Sequence, residues 1–275
     1  METKSIIYQW HPDLSVLLLT VGIIYFYYYI AGFRQQKNSW CLWLAIFIIV
    51  VTQCSPLDYL GMHAYFSAHM ISHILLLLIC GPLLVMSIPA KPALPVLKAI
   101  LNFSNLLSRN SWIAWFAGVG IMWLWHIPAI FDASFAHMMG AFSLFPLLHS
   151  GSMLLAGMLF SWPLFGPVKK DHIHPLAGII YLFTACISCS LLGLLITFAP
   201  LSTYHYYTGL GNMAVDPFHI TRAADQQAAG LIMWVPCCFV YLSGCIYLLM
   251  RWFAEADIKR NKEWINLTPL IKHDN

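Results

Sequence analysis

The sequence predicts an all-α integral membrane protein, a bundle of seven transmembrane helices with the N-terminus outside and the C-terminus cytoplasmic. Composition gives the first reason: of 275 residues, 9% are charged and 60% apolar, where a soluble domain carries roughly a quarter charged. Mean hydropathy of +0.73 is the second. The third is a set of apolar runs separated by loops whose basic residues alternate in abundance. So few charges cannot cover a water-soluble fold, which excludes a soluble enzyme, a nucleic-acid-binding domain and a disordered chain. A net charge of +3 supplies no electrostatic case for nucleic acid. Against this background, 12 histidines are out of proportion.

A helix crosses the hydrocarbon in about 17 to 25 residues. Spans of that length are expected near 14–32, 40–56, 64–88, 111–128, 141–165, 175–199 and 226–250, within a single domain covering residues 1–275. The runs are continuous rather than alternating, so they read as helices and not barrel strands. The first run is too long for a signal-peptide core. Its flank (Glu2, Lys4, Asp13) is not basic and no small-residue cleavage site follows, so it is expected to be retained as a span. Gln53, Cys54 and Pro56 crowd the end of the second run. Trp40, Trp43, Trp112, Trp115, Trp123 and Trp125 lie near run ends, as interfacial anchors do. Pro128 and Asp132 suggest a turn after the fourth run, leading to His137 and Met138.

Orientation follows from Lys and Arg. Arg34 and Lys37 follow the first run, Lys91, Lys98 and Arg109 the third, and Lys169 and Lys170 the fifth. Arg251, Lys259, Arg260, Lys262 and Lys272 follow the seventh, so twelve of the fourteen basic residues share one side. Only Lys4 and Arg222 fall on the other. That places the basic side in the cytoplasm.

The histidines divide the opposite way. His172, His174 and His273 are cytoplasmic, whereas His11, His63, His69, His73, His126, His137, His149, His205 and His219 fall in outer loops or outer halves of spans. Glu2, Asp13, Asp58, Asp132, Asp216 and Asp225 accompany them, leaving an outer face suited to a cation. His69 and His73 are four residues apart and share one helix face. Ionisable groups inside a span are costly and by default face a bundle interior with a function. Met62, seven residues before His69, is expected to extend the same face. His126 closes the fourth run beside Trp125, and His149 lies in the outer part of the fifth. For each, an ordinary role competes: an interfacial histidine in the first case, a helix–helix hydrogen bond in the second. His137, His205 and His219 read as solvated loop residues.

Imidazole with thioether is the donor set expected for copper, Cu(I) above all. Membrane methionine is ordinarily gap-filling, but Met70 lies within the histidine pair. Asp225 and Gln226, at the start of the seventh run, either cap their own helix or orient a metal-bound imidazole. The eight cysteines form no disulfide framework, and Cys186-x-x-Cys189 in an apolar run reads as packing. The candidate metal ligands are therefore His69, His73, His126, His149 and Met70, with Asp225 and Gln226 behind them. A haem b electron-transfer subunit, a metal transporter and a purely structural scaffold are the rival readings. Paired histidines on one face suit a small ion better than a haem, and a transporter wants polar residues continuing into the inner half.

Four blocks stand in one order: His69-Met-Ile-Ser-His73 with Gly81-Pro82, Trp125-His126-Ile-Pro128, Trp162-Pro163-Leu-Phe-Gly-Pro167 and Asp225-Gln-Gln-Ala-Ala-Gly-Leu-Ile-Met-Trp234. From about residue 40 to 253 the chain resembles the CtaG family of cytochrome c oxidase assembly factors of the multi-span type. The resemblance implies seven transmembrane helices, residence in the bacterial cytoplasmic membrane and a non-catalytic role in maturing a haem-copper oxidase. It also implies copper handling on the outer side, with oxidase subunits and an extracytoplasmic copper chaperone as partners. His69, His73 and His126 match the family's histidines, Asp225 and Gln226 match its polar block, and His149 aligns more loosely. After Pro236 the family pattern calls for glycine, where this chain has Cys237 and Cys238.

Overall fold

The computed structural model describes residue 10 and residues 14–31, 38–89, 95–138, 145–168, 172–210 and 218–271. Among them there is no strand. In chain order the helices are α1 (Leu14–Ala31), α2 (Ser39–Cys54), α3 (Pro56–His63), α4 (Phe66–Ser87), α5 (Pro95–Arg109), α6 (Ser111–His126), α7 (Pro128–Met138), α8 (Phe145–Phe165), α9 (Pro175–Phe198), α10 (His205–Gly209) and α11 (Arg222–Ile271).

Four helices, α4, α8, α9 and α11, are each long and apolar enough to cross a membrane, and six spans result if each of two bent pairs counts as one. The expected seven are thus four to six by length and composition. Helix α1, 18 residues of almost wholly apolar sequence, is not among these six.

The bent pairs explain where the sequence expectation and the structure differ. After α2 the chain breaks at Ser55, whose Oγ accepts from the Leu57 amide at 3.1 Å while Pro56 opens α3, bent by 43°. Proline is favoured in a first helical turn, where its missing N–H costs nothing. A second break at Ala64 and Tyr65 separates α3 from α4. Met62 therefore lies on α3 and does not extend the face of His69 and His73. It also follows that His69 sits only about 5 Å along α4 from its first residue, at 1.5 Å per residue. After α6 the expected turn is instead a helix, α7, bent by 70° from α6. Pro128 cannot continue α6 but can begin a new helix.

Helix α4 contains a π-helical segment at Leu75–Cys80, just past His73. Its crossing with α8 is close: a Cβ added to Gly81 would overlap the Gly157 backbone, and one added to Gly157 would overlap the Leu77 carbonyl. Helices α9 and α11 pack along their length, and Gly193 and Gly230 bring their backbones together in the same manner. Small residues at crossings are how helices associate where lipid removes the hydrophobic drive between them.

Two of the tryptophans expected at the interface join helices instead. Trp123 donates to Ser188 Oγ and Trp125 to Ser152 Oγ, both at 2.9 Å. Trp40, Trp43 and Trp112 remain exposed.

Candidate metal centre

One end of the bundle is organised around the start of α4. Tyr65, which precedes that helix, gives it no side-chain cap. The cap comes from α11: Asp225 accepts the Phe66 amide at 2.7 Å, the Ser67 amide at 3.1 Å and the Ser67 hydroxyl. A carboxylate at a helix N-terminus meets both orphan N–H groups and the positive end of the dipole. Asp225 thus serves α4 rather than its own helix or an imidazole, and it ties α11 to the helix that bears His69 and His73. Arg222 adds a hydrogen bond to the Ala64 carbonyl. Gln226, buried, donates to the carbonyls of Ile196 and Ala199 at 3.1 and 2.7 Å, closing the C-terminal end of α9. Both residues act on helix ends rather than on a ring.

With α4 held there, His69 and His73 turn inward and meet His149 from α8. Each of the three offers one ring nitrogen, and these atoms lie within 4.8 Å of one another. Ring centroids are 4.3 Å apart for His69 and His73, 4.8 Å for His73 and His149, and 5.7 Å for His69 and His149. All three side chains are buried. Neither ring nitrogen of His73 has a hydrogen-bond partner. A buried polar atom left so costs about 1–3 kcal/mol, and histidine acting as a structural hydrogen bond would not leave both atoms orphaned.

His126 stands beside the trio, not in it. Its ring centroid is 5.1 Å from that of His73. Nδ1 lies 2.6 Å from the Met122 carbonyl and Nε2 lies 3.3 Å from Met70 Sδ. A carbonyl only accepts, so Nδ1 carries the proton and the Nε2 lone pair faces a thioether. Met70 is wholly buried. Two soft or borderline donors aimed at each other next to three imidazoles complete an N- and S-rich pocket.

The other histidines take ordinary places. His63 stacks on Tyr59. His205 is exposed and pairs with Asp132 at 3.2 Å. The side chains of His137 and Met138 lie outside the described residues.

An aromatic cover over the trio was not among the sequence expectations. Phe131 and Phe135 of α7 contact the His69 ring, with centroids at 5.7 and 5.0 Å. Tyr206 stacks on Phe135 at 4.1 Å. The hydroxyls of Tyr204, Tyr206 and Tyr207 donate to the carbonyls of His126, Met62 and Gly61. Trp125 closes over His149 edge-on, at 4.7 Å. The run Tyr204-His-Tyr-Tyr207 is the local signal that was available: three hydroxyls in a short segment of an apolar protein. The cover lowers the local dielectric around the trio, so any charge placed there interacts strongly with its ligands.

Fold and site together define an all-helical protein with several apolar helices of membrane-crossing length and a buried group of three histidines able to hold a metal. The chain belongs to the cytochrome c oxidase caa3 assembly factor family (Caa3_CtaG), whose model matches residues 23–255. The resemblance seen in the four sequence blocks is thereby confirmed. Membership implies association with cytochrome c oxidase during its assembly. No curated protein and no solved structure matches the chain.

Proposed function

We propose that this assembly factor binds copper as cargo in the outer half of a seven-helix bundle and presents it for insertion into a respiratory oxidase. The N-terminus is outside and the C-terminus cytoplasmic in this reading, in the bacterial cytoplasmic membrane, and the basic residues of the inner loops support it. His69, His73 and His149 are the primary ligands. His126 and Met70 flank them as a further nitrogen–sulphur pair, and Asp225 and Gln226 hold the helix ends that set the ring positions.

The observation that supports this reading most is His73, buried with both ring nitrogens unpartnered and with donor atoms of His69 and His149 within 4.8 Å. A metal supplies the missing partner, and the pocket fits one: borderline imidazole with thioether nearby suits copper over magnesium or calcium. When bound, copper would be held by neutral donors in an enclosed site, ready to be passed to a better ligand set on the oxidase. An extracytoplasmic copper chaperone fits as donor on the same side.

Haem ligation finds little support, because His69 and His73 stand on one face of one helix and contact each other directly. The test is metal analysis of the purified protein, wild type against His69→Ala/His73→Ala. The wild type is expected to hold copper and the double variant to lack the share held by the histidines. Equal, negligible copper in both would overturn the proposal.

A further inference from the structure

Directly inward of the histidines the donors change from nitrogen to sulphur. A small cavity of about 10 Å³, room for about one water-sized particle, is bordered by His73, Met122, His126, Met153, Met233 and Cys237, with three aliphatic side chains of α4. Its four sulphur side chains are buried. Behind it, Cys189 Sγ lies 3.5 Å from Cys237 Sγ and 3.4 Å from Met122 Sδ. One turn away Cys186 Sγ and Cys238 Sγ are also 3.5 Å apart. Four of the eight cysteines are thus gathered where α9 and α11 cross.

Buried cysteine is commonly a small apolar packing residue. Packing alone does not account for three thioethers, a thiol and two imidazoles converging on one small cavity. Nor does it account for thiols meeting thiols rather than hydrocarbon. Sulphur ligands of this kind select Cu(I), which accepts the two or three donors that a narrow site offers.

We propose that Cys237, with Met122, Met153 and Met233, forms a second, sulphur-based Cu(I) site beneath the histidine trio, with Cys189 hydrogen-bonding to the Cys237 sulphur. Copper enters as Cu(I) and keeps that oxidation state. The Cys237 S–H bond breaks, a Cu–S bond forms, and the proton passes to the medium. The thiolate and the monovalent ion then cancel, so the loaded site is neutral. That matters inside a bilayer, where an uncompensated charge is expensive. Thioethers add donors without adding charge. His73 and His126 border both sites, so the cavity connects them.

The two sites are separable by experiment. The full chain, purified in detergent under anaerobic conditions with ascorbate, is titrated with Cu(I) against a competing chelator, and copper coordination is read by X-ray absorption. Wild type is expected to take two equivalents, one with a sulphur shell. Cys237→Ser should take one and lose the thiolate contribution, whereas His69→Ala/His149→Ala should keep it. An unchanged equivalence and sulphur shell in Cys237→Ser would overturn the sulphur site. Wild-type stoichiometry in His69→Ala/His149→Ala would count against the histidine centre instead. A readout without variants guards against misfolding: Cu(I) should give the wild type an ultraviolet thiolate-to-Cu(I) charge-transfer band. Absence of that band at saturating Cu(I) would also sink the proposal.

Discussion

At the residue scale, the chemistry turns on side chains that lie close in space but come from distant parts of the chain. His69 and His73 were recognisable as a pair because four residues place them on one helix face. His126 and His149 were both candidate ligands, one closing its run and the other within it, yet His149 points its nitrogen at the pair and His126 at Met70. No local pattern distinguishes them, since the distinction is set by how α6 and α8 rotate against α4. Asp225 makes a sharper case. Its carboxylate accepts three hydrogen bonds from Phe66 and Ser67, so removing its charge should be felt at the helix that bears the trio. Asp225→Asn is expected to lower stability by about 1–3 kcal/mol, as for a lost charged hydrogen bond. It should also weaken copper binding without touching a ligand. Thermal unfolding in detergent checks the first, and an unshifted midpoint would refute it.

Elements are held at their crossings by glycine. Gly157 lies so close to the Leu77 carbonyl that any Cβ there must move a backbone. The site of contact is the π-helical segment that follows His73, and π-bulges recur at functional positions. Gly157→Val should therefore separate α8 from α4, costing about 1–3 kcal/mol as overpacking does, and displace His149 from His69 and His73. Gly151, on the same helix with no heavy atom within 4 Å of an added Cβ, is the control. Gly151→Ala is expected to leave the unfolding midpoint unchanged or raised, and similar midpoints for both variants would refute the argument. The breaks at Ser55–Pro56 and Ile127–Pro128 were legible as prolines near run ends, but not as short helices bent by 43° and 70°. A proline states that one helix stops; the path of the next segment depends on the surface available for it to pack against. Here α7 packs Phe131 and Phe135 over His69.

For the whole molecule, the asymmetry of charge makes a prediction that involves no ligand. Twelve of fourteen basic residues fall on one proposed side, so a C-terminal reporter should behave as cytoplasmic. Green fluorescent protein fused there is expected to fluoresce and alkaline phosphatase to be inactive, with the reverse outcome contradicting the proposed topology. Helix α11 runs on to Ile271, well past the expected limit near residue 250, so the fusion reports on the far end of a continuous helix.

The sequence by itself determined the solvent this protein lives in, its helical class, its family and the first two histidines of its centre. Each of those rests on composition, on residue runs, or on a spacing of a few residues, which local physics translates directly into structure. Tertiary structure alone decided that His149 joins the trio while His126 faces Met70, that Asp225 caps a helix 159 residues away, and that Cys189 meets Cys237. These are contacts between helices far apart in the chain. Their rotation and crossing are set by backbone approach at Gly81, Gly157, Gly193 and Gly230, and periodicity along a single helix does not contain that information.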